Sequence, residues 1–253
     1  MKKMDDELKA RAKKLRLWGL LAHWDEIGET GWIETLIRFE EEERNRRSLE
    51  ERIRKSRVGR FKDIADFDWT WPKKVDRMAI DELFQLSFID EFANVIFVGQ
   101  NGSGKTMIAQ NIAYHAVKRG YTALFTTAGN LLQDLNAQET TRSLMRKLKT
   151  YERLDLLVVD EVGYLSYDDR HADLFFEIVN RRYQKKSTVI TTNKPFTEWN
   201  DIFPSASCVV TLIDRLIHHS EIIKIDADSY RLKEAKERAI NKKKKNVTPK
   251  KPE

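Results

Sequence analysis

The chain has 253 residues, 41% hydrophobic and 34% charged, with a formal net charge of +6 at pH 7. That length supports one or two domains with a full core. No run of about 18 apolar residues occurs, so no membrane span is expected, and residues 1–7 continue into charged sequence, so no signal peptide is read there.

Residues 1–68 read as a small all-α domain rich in charge. Leu8, Ala12, Leu15, Leu17, Leu20 and Leu21 recur at helical spacing, Gly28 and Gly31 interrupt, and a second helix starts near Trp32 with Ile33, Leu36 and Ile37. The acidic run at 40–43 and the basic residues at 44–47 suit a solvated face or a surface for DNA or a partner. An interaction domain is expected, because the segment is too short for a catalytic site of its own. Residues 61–69 read as a linker that ends at Pro72.

The segment 69–234 alternates in α/β fashion. A helix is expected from Lys73 to about Phe88, then a strand at 95–98, a helix from Gly104 to Arg119 stopped by Gly120, and a strand at 122–126. Two helical pieces at 129–150, a strand at 155–160, a helix at 171–184 and a strand at 188–192 follow, then a helix near 211–219 and a strand at 222–225. Five short apolar strands separated by helices predict a parallel sheet covered on both faces. Residues 235–253 read as a disordered basic tail. From Arg231 onward there are ten Lys/Arg and three Asp/Glu, a net of +7, so the rest of the chain is near neutral. The run of lysines at 242–245 suits either solvation or attraction to nucleic-acid phosphates. The single cysteine, Cys208, allows no internal disulfide, which fits a cytoplasmic protein, and it reads as a packed residue.

Residues 99–106 are Gly99, Gln100, Asn101, Gly102, Ser103, Gly104, Lys105 and Thr106, a full G-x-x-x-x-G-K-[ST] match. The apolar strand before it and the helix after it are the context such a phosphate loop requires. Glycines let backbone N–H groups point inward, and the helix start adds partial positive charge. Lys105 has the reach for β/γ-phosphates, and the Thr106 hydroxyl suits a Mg²⁺ ligand. The strand at 155–160 ends in Asp160 and Glu161. Carboxylates at the C-terminal end of a parallel strand lie where such sheets bind ligands. Asp160 is expected to hold the Mg²⁺ shell and Glu161 to orient or deprotonate an attacking water. A whole strand, 122–126, separates the two motifs along the chain, as in additional-strand NTPases rather than simple kinases. The adjacent His218 and His219 point to different sides of a helix, and they read as structural or interface residues rather than metal ligands.

These motifs, with the blocks 66–68, 94–99, 160–164, 175–183, 187–196, 212–220 and 229–233, resemble the helicase-loader branch of AAA+ ATPases. The chain is more closely similar to the IstB-like transposition helpers, over about residues 30–235, and the Asp-Arg-Leu-Ile-His-His-Ser block at 214–220 favours them. The resemblance implies a three-layer AAA+ core with a five-stranded parallel sheet. It assigns Asn193 as the sensor near the γ-phosphate or water and Arg215 as the arginine finger for a neighbouring subunit, with Arg182 in reserve. It points to DNA contact by the helical insertion after the second strand, where Arg142, Arg146, Lys147 and Lys149 cluster.

The expectation is an ATP- and Mg²⁺-dependent ATPase that oligomerises on duplex DNA, remodels it and recruits or activates a transposase. Nucleotide would lie between subunits, with no membrane involvement. No acidic triad for DNA cleavage is apparent. A helicase loader, a small-molecule phosphotransferase and a pure binding switch are the rival readings.

Overall fold

The computed structural model describes residues 2–27, 31–164, 168–203 and 207–247. The chain divides into two compact units, Met1–Arg52 and Ile53–Glu253. The first contains α1 (Lys2–Lys14), α2 (Trp18–Ala22), α3 (Trp24–Ile27) and most of α4 (Trp32–Ser56). Its core is Ala12, Leu15, Trp24, Ile33 and Ile37. The Trp24 indole donates to Asp5 at 2.7 Å, and Arg11 grips Glu41 through two hydrogen bonds of 3.0 and 2.7 Å. Gly28 lies outside the described residues.

The second unit runs α5 (Arg77–Leu83), α6 (Ser87–Asp90), β1 (Asn94–Gly99), α7 (Lys105–Lys118), β2 (Ala123–Thr127), α8 (Ala128–Asn136), α9 (Thr141–Glu152), β3 (Leu156–Val162), α10 (Asp169–Arg182), β4 (Ser187–Thr192), α11 (Trp199–Ile202), α12 (Val209–Ile217), β5 (Ser220–Ile225) and α13 (Tyr230–Val247). The five strands pair in parallel in the order β2-β3-β4-β1-β5. Val95, Ile96 and Phe97 are wholly buried, as a central strand covered on both faces requires. Helix α7 buries Ala109, Ala113 and Ala116 with Ile108 and Ile112. It ends where Gly120 takes φ +103, with Tyr121 N–H donating to Ala116 O and Gly120 N–H to Val117 O. That is the Schellman stop expected from the sequence.

Several details differ from the sequence reading. The strand that separates β1 from β3 in the sheet is β4, and the 122–126 strand sits at the sheet edge as β2. The helix expected over 73–88 is two short ones. Asp76 caps α5 by accepting from Ala79 N–H, and Leu86 at φ +67 breaks the run. The two compact units divide after Arg52, before the expected linker. The cause is Asn111, a buried amide on α7 that accepts from Ile64 N–H and donates to Lys62 O, so the expected linker is strapped to the second unit. Residues 235–247 of the expected tail continue α13 as helix, and 248–253 lie outside the described residues. Lys, Glu and Ala are good helix formers, and Pro249 is the first breaker.

The reserve finger, Arg182, is a structural residue. It is 1% exposed and donates to Tyr151 O, Leu154 O, Ser187 O and the Thr188 hydroxyl, which ties α9, the β3 approach and β4 together. Replacing Arg182→Met strands buried acceptors that each cost about 1–3 kcal/mol. Denaturant unfolding is expected to show a loss of about 3 kcal/mol or more; a loss below about 1 kcal/mol contradicts this role.

Candidate functional site

The loop between β1 and α7 needs backbone that side chains resist. Gly102 has φ +81 and Gly104 φ +100, and a Cβ on Gly104 would stand 2.4 Å from the Phe67 ring. Ser103 Oγ is buried with no hydrogen-bond partner among the described residues. A phosphate oxygen is the kind of acceptor that such an orphan hydroxyl lacks. Lys105 is buried, and its ammonium donates to Gly99 O at 2.7 Å and Gln100 O at 2.9 Å. Burial pushes its pKa down to about 8, and Arg231 adds to the fall while Asp160 and Glu161 oppose it.

Behind the loop lies Asp160, 3% exposed at the end of β3. Its Oδ1 accepts from the Thr106 hydroxyl at 3.1 Å and from the Thr191 hydroxyl on β4. The Thr191 oxygen in turn accepts from Glu161 N–H at 3.0 Å. Strand β3 shifts register between Val159 and Val162, and Glu161 takes φ +61. This left-handed bulge costs about 1–2 kcal/mol for a non-glycine residue. It turns Asp160 inward and leaves Glu161 exposed on the cavity wall.

The cavity is about 580 Å³. Residues 101–107, Glu161, Thr191, Thr192 and Asn193 line it, together with Phe67, Trp71, Tyr230 and Arg231. Gly99, Gln100 and Asp160 stand just behind, bonded to Lys105 and Thr106. The expected loop, carboxylate and sensor residues therefore converge. Thr106 and Asp160 supply hard oxygen donors of the kind Mg²⁺ takes.

Arg215 is placed elsewhere. It is half-buried on α12, donates to Asn180 and lies over the Phe176 and Tyr183 rings at 5.0 and 5.7 Å. It does not line the cavity. On α9, Lys147 is drawn into the fold by Asp134 at 2.8 Å, so its charge is spent internally. Arg142, Arg146 and Lys149 are exposed at i, i+4 and i+7, and Arg153 just beyond the helix extends the same stripe. His218 contacts Tyr183 OH at 3.1 Å, and no metal-holding cluster of His, Cys, Asp or Glu exists among the described residues. Cys208 is half-buried beside the core. The sequence reading missed Thr191, Phe67, Trp71, Tyr230 and Arg231 as site residues. Only the polar ending of the apolar run Val189-Ile190 signalled Thr191, and the aromatic residues carried no periodic signal.

The profile of the family described as IstB-like ATP binding protein matches residues 8–238. A protein of insertion sequence IS5376 from Geobacillus stearothermophilus, described as ATP-binding, is 36% identical over 86% of this chain and 88% of its own. An IS21 counterpart from Pseudomonas aeruginosa is 35% identical over 81% of this chain and 77% of its own. Among solved structures, DnaI matches with TM-score 0.55 at 18% identity, over 64% of this chain and 90% of that one. The replication initiator DnaA bound to AMPPCP and single-stranded DNA matches with TM-score 0.54 at 22% identity. It covers 75% of this chain, which spans 56% of that protein. These likenesses show the fold. No helix among the described residues is long and apolar enough to cross a membrane. The chain belongs to the IstB-like ATP-binding protein family, as an ATPase with an AAA+-like P-loop core.

Proposed function

We propose that this protein is an ATP-dependent, DNA-binding ATPase that oligomerises on duplex DNA, remodels it and recruits or activates a transposase. The observation that carries the proposal is the division of the site. The phosphate loop, Asp160, Glu161 and Asn193 gather at one cavity, while Arg215 stands half-buried on α12 outside it. Phosphoryl transfer gains from a cation that joins the site in the transition state. A subunit that holds the loop but presents its finger elsewhere suits completion by a neighbour.

In this reading, the backbone N–H groups of 101–106 and the Ser103 hydroxyl receive phosphate oxygens. Lys105 exchanges its two carbonyl acceptors for them. Thr106 and Asp160 would hold Mg²⁺, which supplies charge neutralisation at the β- and γ-phosphates. Glu161 orients the attacking water and draws off its proton, and Asn193 fixes the water or the γ-phosphate. Thr191 acts through both carboxylate residues as a positioning group. The stripe of Arg142, Arg146 and Lys149 supplies phosphate contacts to duplex DNA. Insertion-sequence relatives support transposition as the setting, and a transposase as the partner.

Three outcomes test the proposal. Mixing Arg215→Ala with Lys105→Ala subunits should restore ATP turnover that neither has alone, whereas a small-molecule phosphotransferase gains nothing from mixing. Glu161→Gln should keep ATP binding, cut turnover by about 100-fold or more and prolong DNA complexes; unchanged complex lifetimes would favour a binding switch. At matched salt, duplex DNA should bind better than single strands, and replacing Arg146 and Lys149 by Glu should flatten the salt dependence by about one unit per lost contact. Preference for single strands would favour a helicase loader.

The Lys105 ammonium gives a pH signature. In the free protein its pKa is near 8, and bound phosphate stabilises the charged form. Binding therefore draws a proton onto Lys105 above that pH. ATP affinity is expected to fall as pH rises through about 8, measured by calorimetry in buffers of different ionisation enthalpy. No proton uptake above that pH would contradict the assignment.

A further inference from the structure

Helix α13 begins in the nucleotide cavity and ends in a lysine run, and one continuous helix joins the two. Its first turn is fastened on two sides. Tyr230 N–H donates to Gly102 O of the phosphate loop at 3.0 Å, and a Cβ on Gly102 would meet Ser229 Oγ at 2.5 Å. On the other side, Lys233 binds Asp68 at 3.0 Å and lies over the Trp71 and Tyr230 rings at 4.5 and 4.9 Å. The Trp71 indole donates to Asp228 O at 2.9 Å. A change in the shape of the phosphate loop must therefore move the start of α13.

The helix has 18 residues, a reach of about 27 Å at 1.5 Å per residue. Residues 235–247 carry six Lys/Arg against one Glu. Between Ile240 and Val247 every residue is Lys or Asn, so this stretch offers no apolar face for a bilayer. A dense, wholly polar cationic segment matches the phosphate backbone of a nucleic acid, which is bound by charge and counterion release without base contacts.

We infer that α13 is a second, sequence-independent nucleic-acid-binding element whose placement is set by the nucleotide in the cavity. The inference rests on the DNA-binding reading above for its partner. It adds a contact separate from α9 and a physical route from the phosphate loop to that contact.

Duplex DNA binding by the full chain tests it, across a salt series, with and without a non-hydrolysable ATP analogue. The comparison is with the quadruple variant Lys242→Gln, Lys243→Gln, Lys244→Gln and Lys245→Gln, in which glutamine keeps helix propensity, and with Lys233→Met, which loosens the anchor. The quadruple variant should lose about tenfold or more in affinity and about 2–4 units of salt slope, with analogue binding unchanged. Lys233→Met should keep most of its DNA affinity and lose the difference that the analogue makes. A quadruple variant with the parent salt slope overturns the inference and leaves the DNA-binding reading intact. Lys233→Met with the parent's analogue dependence overturns the coupling. No duplex binding by the unaltered chain overturns both readings. A loss confined to anionic phosphatidylserine vesicles, with DNA binding retained, identifies a membrane contact and overturns the inference.

Discussion

The site is organised around one buried carboxylate. Asp160 sits at the end of β3 almost out of water, where a charge is tolerated only when hydrogen bonds and a nearby cation compensate it. Thr106 on α7 and Thr191 on β4 donate to it. Three elements that are distant in sequence are thus held in register by a single Oδ1. The same Thr191 oxygen accepts from Glu161 N–H and holds the bulge that faces Glu161 to the cavity. Remove that carboxylate, and the phosphate loop, the ligand for a divalent cation and the aim of the candidate base lose their common reference.

The sheet order makes this arrangement possible. With β4 between β1 and β3, the phosphate loop and the Asp160 strand stand one strand apart, and their C-terminal ends face the same cavity. The gap leaves room for Thr191 and for Asn193 at the end of β4. Two segments distant in the chain, which pair through Lys74 and Asp226, also contribute to the cavity. The residues around Phe67 and Trp71 and those around Tyr230 and Arg231 line it beside the phosphate loop. Nucleotide binding would thus be felt at once by the strap over α7 and by the helix that leaves the cavity.

Local signals made much of this legible in the sequence. The G-x-x-x-x-G-K-[ST] spacing fixed the loop because each glycine and the lysine answer a separate geometric demand. The apolar run before Asp160 located β3, and Gly120 located the end of α7. What stayed hidden depends on contacts between segments far apart in sequence. Nothing local told that Asn111 would capture residues 62–64 and move the unit boundary, or that Arg182 would be buried among carbonyl oxygens instead of reaching a nucleotide. The bulge at Glu161 is likewise invisible in a strand pattern, since it arises from the Thr191 hydrogen bond. In residues 235–247 charge density suggested solvation, while helix propensity in the same residues favours the helix.

In the proposed function, one subunit carries an incomplete site and assembly completes it. ATP turnover per subunit, measured as protein concentration rises with and without duplex DNA, tests that claim most directly. Turnover per subunit should climb steeply with concentration, and DNA should shift the rise to lower concentration. Constant turnover per subunit from dilute monomer upward, unaffected by DNA, would contradict it.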